Sequence, residues 1–191
     1  MKLLQTVELA TGWRRPAHRP LSFTLARGEI LALAGPNGAG KSTLLAALAG
    51  RGARIFAGEI RLAPGACTGF QTQHAPPVAG VPLSGAELLA LTGARPEGLP
   101  DRAMACLPGR LDRLSGGQRQ YLLLWSILQA PADLLLLDEP GNHLDKAGVA
   151  SLPFALRARA ARGAGIVLVS HDVALARACC DRLLQVEPCD D

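Results

Sequence analysis

The chain has 191 residues, 49% of them hydrophobic and only 4% aromatic, which suits one domain with a largely aliphatic core. The net charge of +4 is too small for the footprint of a nucleic-acid-binding surface, so we expect no nucleic-acid partner. The five cysteines include no C-x-x-C pair, so neither a disulfide framework nor a zinc site is indicated, and we expect reduced thiols.

The first third of the chain favours strands. Residues 3–9 alternate weakly between apolar and polar side chains and are expected to form an edge strand, and residues 21–25 alternate as a half-buried strand does. Residues 29–34 form an apolar run that predicts a buried strand. Residues 55–62 predict another strand, interrupted at Gly58.

A glycine-rich segment, here named the phosphate loop, follows the buried strand. It matches the pattern G-x-x-x-x-G-K-[ST] in full and precedes an apolar helix that we expect to end at Gly50. Its residues are Gly35, Pro36, Asn37, Gly38, Ala39, Gly40, Lys41, Ser42 and Thr43. Glycines allow successive backbone N–H groups to converge on phosphate oxygens, and the helix N-terminus adds partial positive charge. We therefore expect Lys41 to bridge the β- and γ-phosphates of a nucleotide and the Ser42 hydroxyl to bind Mg²⁺.

The middle of the chain is predicted to be mainly helical. Residues 68–73 form a short strand that runs into a proline-marked loop. A helix over residues 84–92 begins with a capping box, and residues 100–106 predict a second short helix. A strongly apolar helix covers residues 115–129 and is stopped by Pro131.

Strands and helices alternate in the last third. Residues 134–138 and 165–170 predict buried strands, and residues 182–186 predict the last strand. Residues 145–162 predict a helix with a kink at its central proline, and residues 173–179 a shorter helix. This alternation is typical of a mostly parallel sheet covered on both faces, in which ligands bind at the carboxyl ends of the strands.

Two carboxylates directly follow one of the buried strands. Asp138 is placed to hold Mg²⁺, and Glu139 to act as a general base that orients an attacking water. Two adjacent acids also occur in ordinary solvated loops, but a phosphate loop in the same chain favours the catalytic interpretation. Because Lys41 and His171 also follow strand ends, we expect these side chains to converge.

A second glycine-bearing helix start, here named the signature segment, predicts a second anion site. It consists of Leu114, Ser115, Gly116, Gly117 and Gln118. The two anion sites of one chain are not expected to face each other. A head-to-tail pair of chains would let them clamp one γ-phosphate from opposite sides.

In this order, the motifs resemble those of the ATP-binding-cassette (ABC) ATPases, and the resemblance covers nearly all of the chain. It implies an α/β fold of the P-loop NTPase type within a single domain of residues 1–191. A mostly parallel sheet would be covered by helices and accompanied by an N-terminal antiparallel β part. A reduced helical subdomain of about residues 74–130 would be inserted in this core.

The resemblance also implies roles for individual residues. The glutamine loop of the family matches Gln73, with Gln71 the weaker choice, and implies contact with Mg²⁺ and the attacking water. The late histidine matches His171 and implies a γ-phosphate sensor. Trp13 matches the aromatic residue that stacks on adenine, although surface packing would also explain it. The turn that ends in Asp145 implies a further nucleotide contact.

For the whole protein, the resemblance implies two ATP molecules and Mg²⁺ at the interface of a homodimer or of a pair with another ABC subunit. It implies integral membrane permease subunits as partners, with a substrate-binding protein as a further partner in an importer. We expect a cytoplasmic subunit held at the inner face of the membrane by the permease. The N-terminus lacks the apolar core of a signal peptide, and no apolar stretch is long enough to span a membrane.

The branch of the family is predicted from the compact form and from residues 69–73 (GFQTQ). Both are similar to ATPases that serve importers of metal ions, iron chelates or vitamin B12, which makes an importer subunit the leading hypothesis. Heme exporters also use compact subunits, but their signature segment usually departs from the intact sequence found here. A soluble ABC ATPase that acts on ribosomes or another assembly shares the turn at residues 142–145, but such proteins carry two cassettes.

Overall fold

The computed structural model describes residues 1–73 and 82–189, and its elements follow the predicted order. The strands are β1 (Lys2–Gly12), β2 (Leu21–Ala26), β3 (Ile30–Ala34), β4 (Arg54–Leu62), β5 (Thr68–Gln71), β6 (Leu134–Asp138), β7 (Gly165–Val169) and β8 (Arg182–Gln185). The helices are α1 (Lys41–Leu48), α2 (Gly85–Thr92), α3 (Asp101–Met104), α4 (Gly116–Gln129), α5 (Lys146–Ala161) and α6 (Val173–Cys179), with a 3₁₀ turn at Leu111–Arg113.

A five-stranded parallel sheet forms the centre, in the order β5-β6-β7-β3-β8. Every residue of β6 and β7 is buried, which explains their continuous apolar sequences. One face packs against residues of α2, α4, α5 and α6, and the other against α1 and the strands near the N-terminus. The predicted α/β fold, with both faces of the sheet covered, is confirmed.

The N-terminal β part is a three-stranded antiparallel sheet in the order β2-β1-β4. The prediction of an edge strand at residues 3–9 is wrong, because β1 pairs on both sides. The predicted interruption at Gly58 is also wrong, because β4 continues through this residue. Gly58 has φ +74°, and a Cβ there would lie 2.1 Å from the carbonyl oxygen of Val7, so glycine permits a close approach to the irregular part of β1.

The helices between β5 and β6 follow their local signals. The capping box at the start of α2 is confirmed by reciprocal hydrogen bonds between Ser84 and Glu87. Helix α3 is shorter than the predicted range of residues 100–106. The separate helical subdomain of residues 74–130 stays a prediction, and its first residues, 74–81, lie outside the described ranges. Within those ranges, no helix is both long and apolar enough to cross a membrane.

Candidate active site

A cleft of about 450 Å³ lies where four neighbouring strands of the parallel sheet, β5, β6, β7 and β3, reach their carboxyl ends. Ligands of open α/β sheets bind at such a place. The cleft is lined by Ala17, Asn37, Gly38, Gly40, Lys41, Ser42, Thr43, Gln73, Asp138, Glu139, Val169 and His171. The structure therefore brings together the phosphate loop, both carboxylates, Gln73 and His171, while their individual roles stay predictions.

The phosphate loop is held in shape by its glycines and by the segment that precedes β2. Gly40 has φ +83°, and a Cβ there would lie 2.9 Å from the Cβ of Ala17. A side chain at this position would therefore be strained and would collide with the neighbouring segment. Lys41, Ser42 and Thr43, the first residues of α1, line the cleft, and the N–H groups of a first helical turn have no partner within the helix.

Lys41 carries a buried positive charge at the centre of this loop. Its side chain is held by the loop itself, because Nζ donates hydrogen bonds to the carbonyl oxygens of Gly35 at 2.8 Å and Pro36 at 2.9 Å. Lys41 is only 7% exposed. A phosphate group bound by the backbone N–H groups would thus meet a fixed ammonium group.

Glu139 is a buried carboxylate tied to the loop that follows β7. It is 6% exposed, and its backbone N–H donates to the carbonyl oxygen of Val169 at 2.9 Å. Its Oε1 lies 3.3 Å from Nε2 of His171, and its Oε2 accepts a hydrogen bond from the His171 backbone N–H at 3.3 Å. Glu139 also has φ +51°, a strained conformation for a residue other than glycine. Strain and buried charge of this kind cluster at functional sites.

The donor set of the cleft fits Mg²⁺. Ser42 contributes a hydroxyl oxygen, Gln73 an amide oxygen and Asp138, which is 5% exposed, a carboxylate oxygen. Oxygen donors of these kinds, together with substrate phosphates, are what Mg²⁺ prefers in proteins. The structure also separates the two glutamines, because Gln73 lines the cleft whereas Gln71 is buried in the sheet beside Leu137.

Trp13 does not line the cleft. Its side chain is 57% exposed, and a Cβ on Gly52 would lie 3.3 Å from the Trp13 ring, which puts the ring beside the turn after α1. Its predicted stacking on adenine stays a prediction.

The signature segment also lies outside the cleft, at the start of α4. The Ser115 hydroxyl accepts a hydrogen bond from the Gln118 backbone N–H at 3.3 Å, and the Gln118 side-chain oxygen accepts one from the Ser115 N–H at 3.1 Å. This is a second capping box, of the pattern S-x-x-Q, a local signal that the predicted helix start did not include. The predicted contact with a nucleotide on another chain stays a prediction.

Asp145 is likewise placed away from the cleft. It caps α5 by accepting a hydrogen bond from the Gly148 N–H at 2.7 Å, and it forms an ion pair with Arg102 of α3. Hydrogen bonding to Arg102, and then to the Gly148 N–H, lowers the pKa of the Asp145 carboxyl below its usual range. Its predicted nucleotide contact stays a prediction.

Two lining residues were not predicted. Ala17 and Val169 contact the cleft because of where their neighbours pack, and neither side chain has a chemical signal of its own. Val169 ends β7 two positions before His171, so its place follows from the predicted strand. Ala17 is brought in by contact with Gly40, which lies far from it in sequence.

Comparison with known proteins identifies the family. A profile described as "ABC transporter" matches residues 18–79. The zinc import ATP-binding protein ZnuC of Marinobacter nauticus is 36% identical over 179 residues, which cover 89% of this chain and 68% of the relative. The chain belongs to the ABC transporter ATPase family. It therefore binds and hydrolyses ATP, as the motifs predicted.

Two further similarities support membership of the ABC ATPases. ZnuC of Cereibacter sphaeroides is 37% identical over 174 residues, covering 86% of this chain and 70% of the relative. A solved inward-facing structure described as a metal-chelate type ABC transporter superposes with a TM-score of 0.79 at 26% identity, covering 97% of this chain and 80% of the other. The similarity therefore extends through almost the whole of this ABC ATPase.

Proposed function

We propose that this chain is the ATPase subunit of a membrane transporter that imports a metal ion or metal chelate, with zinc as the first candidate. The observation that carries the proposal is the 36% identity with a zinc import ATPase over 89% of the chain. This similarity favours a metal over the vitamin B12-like substrates that the sequence also suggested. It likewise favours transport over action on ribosomes, and metal import over heme export.

The phosphates of ATP would bind at the phosphate loop. The first residues of α1 line the cleft, so their backbone N–H groups can bind phosphate oxygens. Lys41 Nζ now donates to two carbonyl oxygens of the loop, and on nucleotide binding it would donate to phosphate oxygens instead. Ser42, Asp138 and Gln73 would hold Mg²⁺, which when bound neutralises charge on the β- and γ-phosphates. These three side chains share one cleft lining.

Hydrolysis would depend on Glu139 and His171. Glu139 is buried and accepts a hydrogen bond from the His171 backbone N–H, so its carboxylate is suited to orient a water toward the γ-phosphate and accept its proton. The His171 side chain is 62% exposed and lines the same cleft, so it can donate a hydrogen bond to the γ-phosphate. Such positioned groups contribute about 10²–10⁴-fold to rate.

Coupling to transport would require partners. The signature segment is not among the residues that line the cleft of its own chain. Its anion site would therefore serve the nucleotide of a second ABC subunit, and the signature segment of that subunit would serve the nucleotide of the first. Closure of the pair on ATP would move the attached permease subunits, and hydrolysis would release them. A substrate-binding protein would deliver the metal on the other side of the membrane.

The test is affinity capture with the Glu139→Gln variant. This change removes the general base but keeps the shape, so we expect ATP binding to persist and hydrolysis to fall by at least about 10²-fold, which traps the closed pair. The variant is purified with ATP from detergent-solubilised membranes of its host, and co-purifying proteins are identified. A multi-spanning permease supports the proposal, whereas ribosomal proteins without any membrane protein would overturn it.

Two further measurements separate the parts of the proposal. Lys41→Ala is expected to lose nucleotide affinity, and unchanged ATP binding would contradict the assignment of the phosphate loop. Uptake of radioactive zinc by host cells tests the substrate, because cells that carry only Glu139→Gln should accumulate less zinc than wild-type cells. If these cells take up zinc normally although a permease is captured, the assignment as a transporter ATPase would stand, but zinc would be rejected as the substrate.

A further inference from the structure

A second cavity, of about 410 Å³, lies at the other end of the parallel sheet from the ATP cleft. Its walls come from the turn after α2, the end of α4 and the last turn of α5, which precede the amino ends of β6 and β7. The lining residues are Arg95, Glu97, Gln129, Ala130, Pro131, Arg159 and Arg162. We name it the arginine cavity, because three of its residues are arginines.

Arg159 is the best-fixed of the three guanidinium groups. Its Nη2 donates to the carbonyl oxygens of Ala130, at 3.1 Å, and of Ala132, both in the segment that follows α4. Its Nε is buried and has no hydrogen-bond partner among the described residues. Burial first, and then the positive charge of Arg162, lower the pKa of Arg159 below its usual range. The charged form of this side chain is therefore poorly compensated by the protein.

Arg162 and Arg95 are held at the rim. Arg162 donates through Nη1 to the side-chain oxygen of Gln129 at 2.8 Å. The backbone carbonyl of Arg95 accepts a hydrogen bond from the Trp125 indole N–H at 2.9 Å, which fixes the turn after α2. The Arg95 side chain makes no hydrogen bond or ion pair with the described residues, so its donors are available to a ligand.

The described residues around the arginine cavity carry a net positive charge. Glu97 is the single carboxylate among the lining residues that the structure describes. Asp133 lies near Arg159, but it is already paired with Arg27 at 2.5 Å. Carbonyl groups at the ends of α4 and α5 supply only partial negative charge. Half-buried charge without a counter-ion is unfavourable, and an anion in the cavity would relieve it.

We propose that the arginine cavity binds an oxyanion, through a phosphate or carboxylate group held by Arg95, Arg159 and Arg162. Guanidinium groups suit this chemistry because their paired N–H donors match two oxygens at once. Arg95 belongs to the turn between α2 and α3, whereas Arg159 lies in the last turn of α5 and Arg162 directly follows that helix. A bound anion therefore joins the segment inserted between β5 and β6 to the helix that covers the central sheet.

The chain carries its own reporter for this site. It has two tryptophans. The Trp125 indole N–H donates a hydrogen bond to the backbone carbonyl of Arg95, whereas Trp13 directly follows β1. In ¹⁵N-labelled protein with the ATP cleft saturated by ADP and Mg²⁺, inorganic phosphate should shift the Trp125 indole signal saturably, with a Kd on the order of 1 mM. Trp125→Phe assigns the signal.

Matched variants decide the outcome. Arg162→Gln should weaken phosphate binding by about tenfold or more, with partial recovery in Arg162→Lys, which keeps the charge but loses the planar donor pair. Arg54→Gln, an equal charge change at an exposed position on β4, should leave binding unchanged. Acetate and succinate titrations show whether carboxylates bind as well. The proposal is overturned if chloride at equal ionic strength shifts Trp125 as much as phosphate does, or if Arg162→Gln and Arg54→Gln behave alike.

Discussion

At the scale of single residues, three buried charged side chains are explained by the site that they line. Lys41, Asp138 and Glu139 are at most 7% exposed, although buried charges are unfavourable for folding unless they are compensated. All three line the cleft, where a nucleotide and Mg²⁺ would compensate them. Their burial is thus explained by function rather than by stability.

Gln71 shows the opposite case, a buried polar side chain that does not line the cleft. It is 6% exposed, and both its side-chain nitrogen and oxygen lack hydrogen-bond partners among the described residues. We expect Gln71→Leu to raise the free energy of unfolding by about 1–3 kcal/mol, because the apolar side chain removes two unsatisfied groups. Urea unfolding of the two proteins measures the change.

Gln73→Leu is the matched control for this prediction. Gln73 is exposed and lines the cleft, so the substitution should change stability by no more than about 0.5 kcal/mol while lowering ATP hydrolysis. If Gln71→Leu proves clearly less stable than wild type, the Gln71 amide has partners that the described residues do not reveal.

At the scale of elements, the start of α4 is packed against the turn before α5. A Cβ on Gly117 would lie 3.2 Å from the carbonyl oxygen of His143, a residue with φ +65° in that turn. Asp145, two residues after His143, forms an ion pair with Arg102 of α3. The signature segment, the turn and α3 are therefore in contact, and a displacement of one of them would displace the others.

Substitutions of the two signature glycines should differ for this reason. Gly117→Ala crowds a backbone carbonyl in a strained turn, whereas a Cβ on Gly116 would meet no atom within 4 Å. We expect Gly117→Ala to be less stable than Gly116→Ala by about 1–2 kcal/mol, measured by thermal or urea unfolding. Equal stability of the two variants would show that the turn yields freely.

At the scale of the whole molecule, one carboxylate ties distant parts of the chain together. Asp133 accepts a hydrogen bond from Arg27, in the turn after β2, at 2.5 Å and another from the Cys67 N–H at 3.0 Å. The Arg27 hydrogen bond, and then that of Cys67, lower the pKa of Asp133 below its usual range. The contact joins the N-terminal β part to the amino ends of β5 and β6.

We expect the contact between Asp133 and Arg27 to make the free energy of unfolding depend on pH. The pKa of Asp133 is lower in the folded state than in the unfolded state. The contact therefore stabilises the protein fully above the unfolded pKa of about 3.9, and this stabilisation is lost as the pH falls through the folded pKa. Asp133→Asn should therefore cost about 0.2–1 kcal/mol at pH 6, with a smaller difference in strong acid. Urea unfolding across this pH range measures it.

Arg27→Gln supplies the second half of a double-mutant cycle with Asp133→Asn. If the pair acts as the contacts indicate, the two losses should not add, because either change removes the same interaction. Additive losses, or a difference that grows as the pH falls, would contradict this explanation.

The sequence by itself determined the features that depend on neighbouring residues in the chain. The phosphate loop, the capping box of α2, the buried strands and the acidic pair after β6 are written in short segments, because backbone geometry and local hydrogen bonds set them. Parallel strands then required these segments to meet at one edge of the sheet. Family and ATPase activity followed from that set of motifs.

Only the tertiary structure decided what depends on residues far apart. It made β1 a central strand, placed Gln73 rather than Gln71 in the cleft, and brought Ala17 against Gly40. It also assembled the arginine cavity from three separate elements. Periodicity shows which face of a strand is buried, but not which strands pair with it or which distant side chains it meets, because packing of the whole chain sets those contacts.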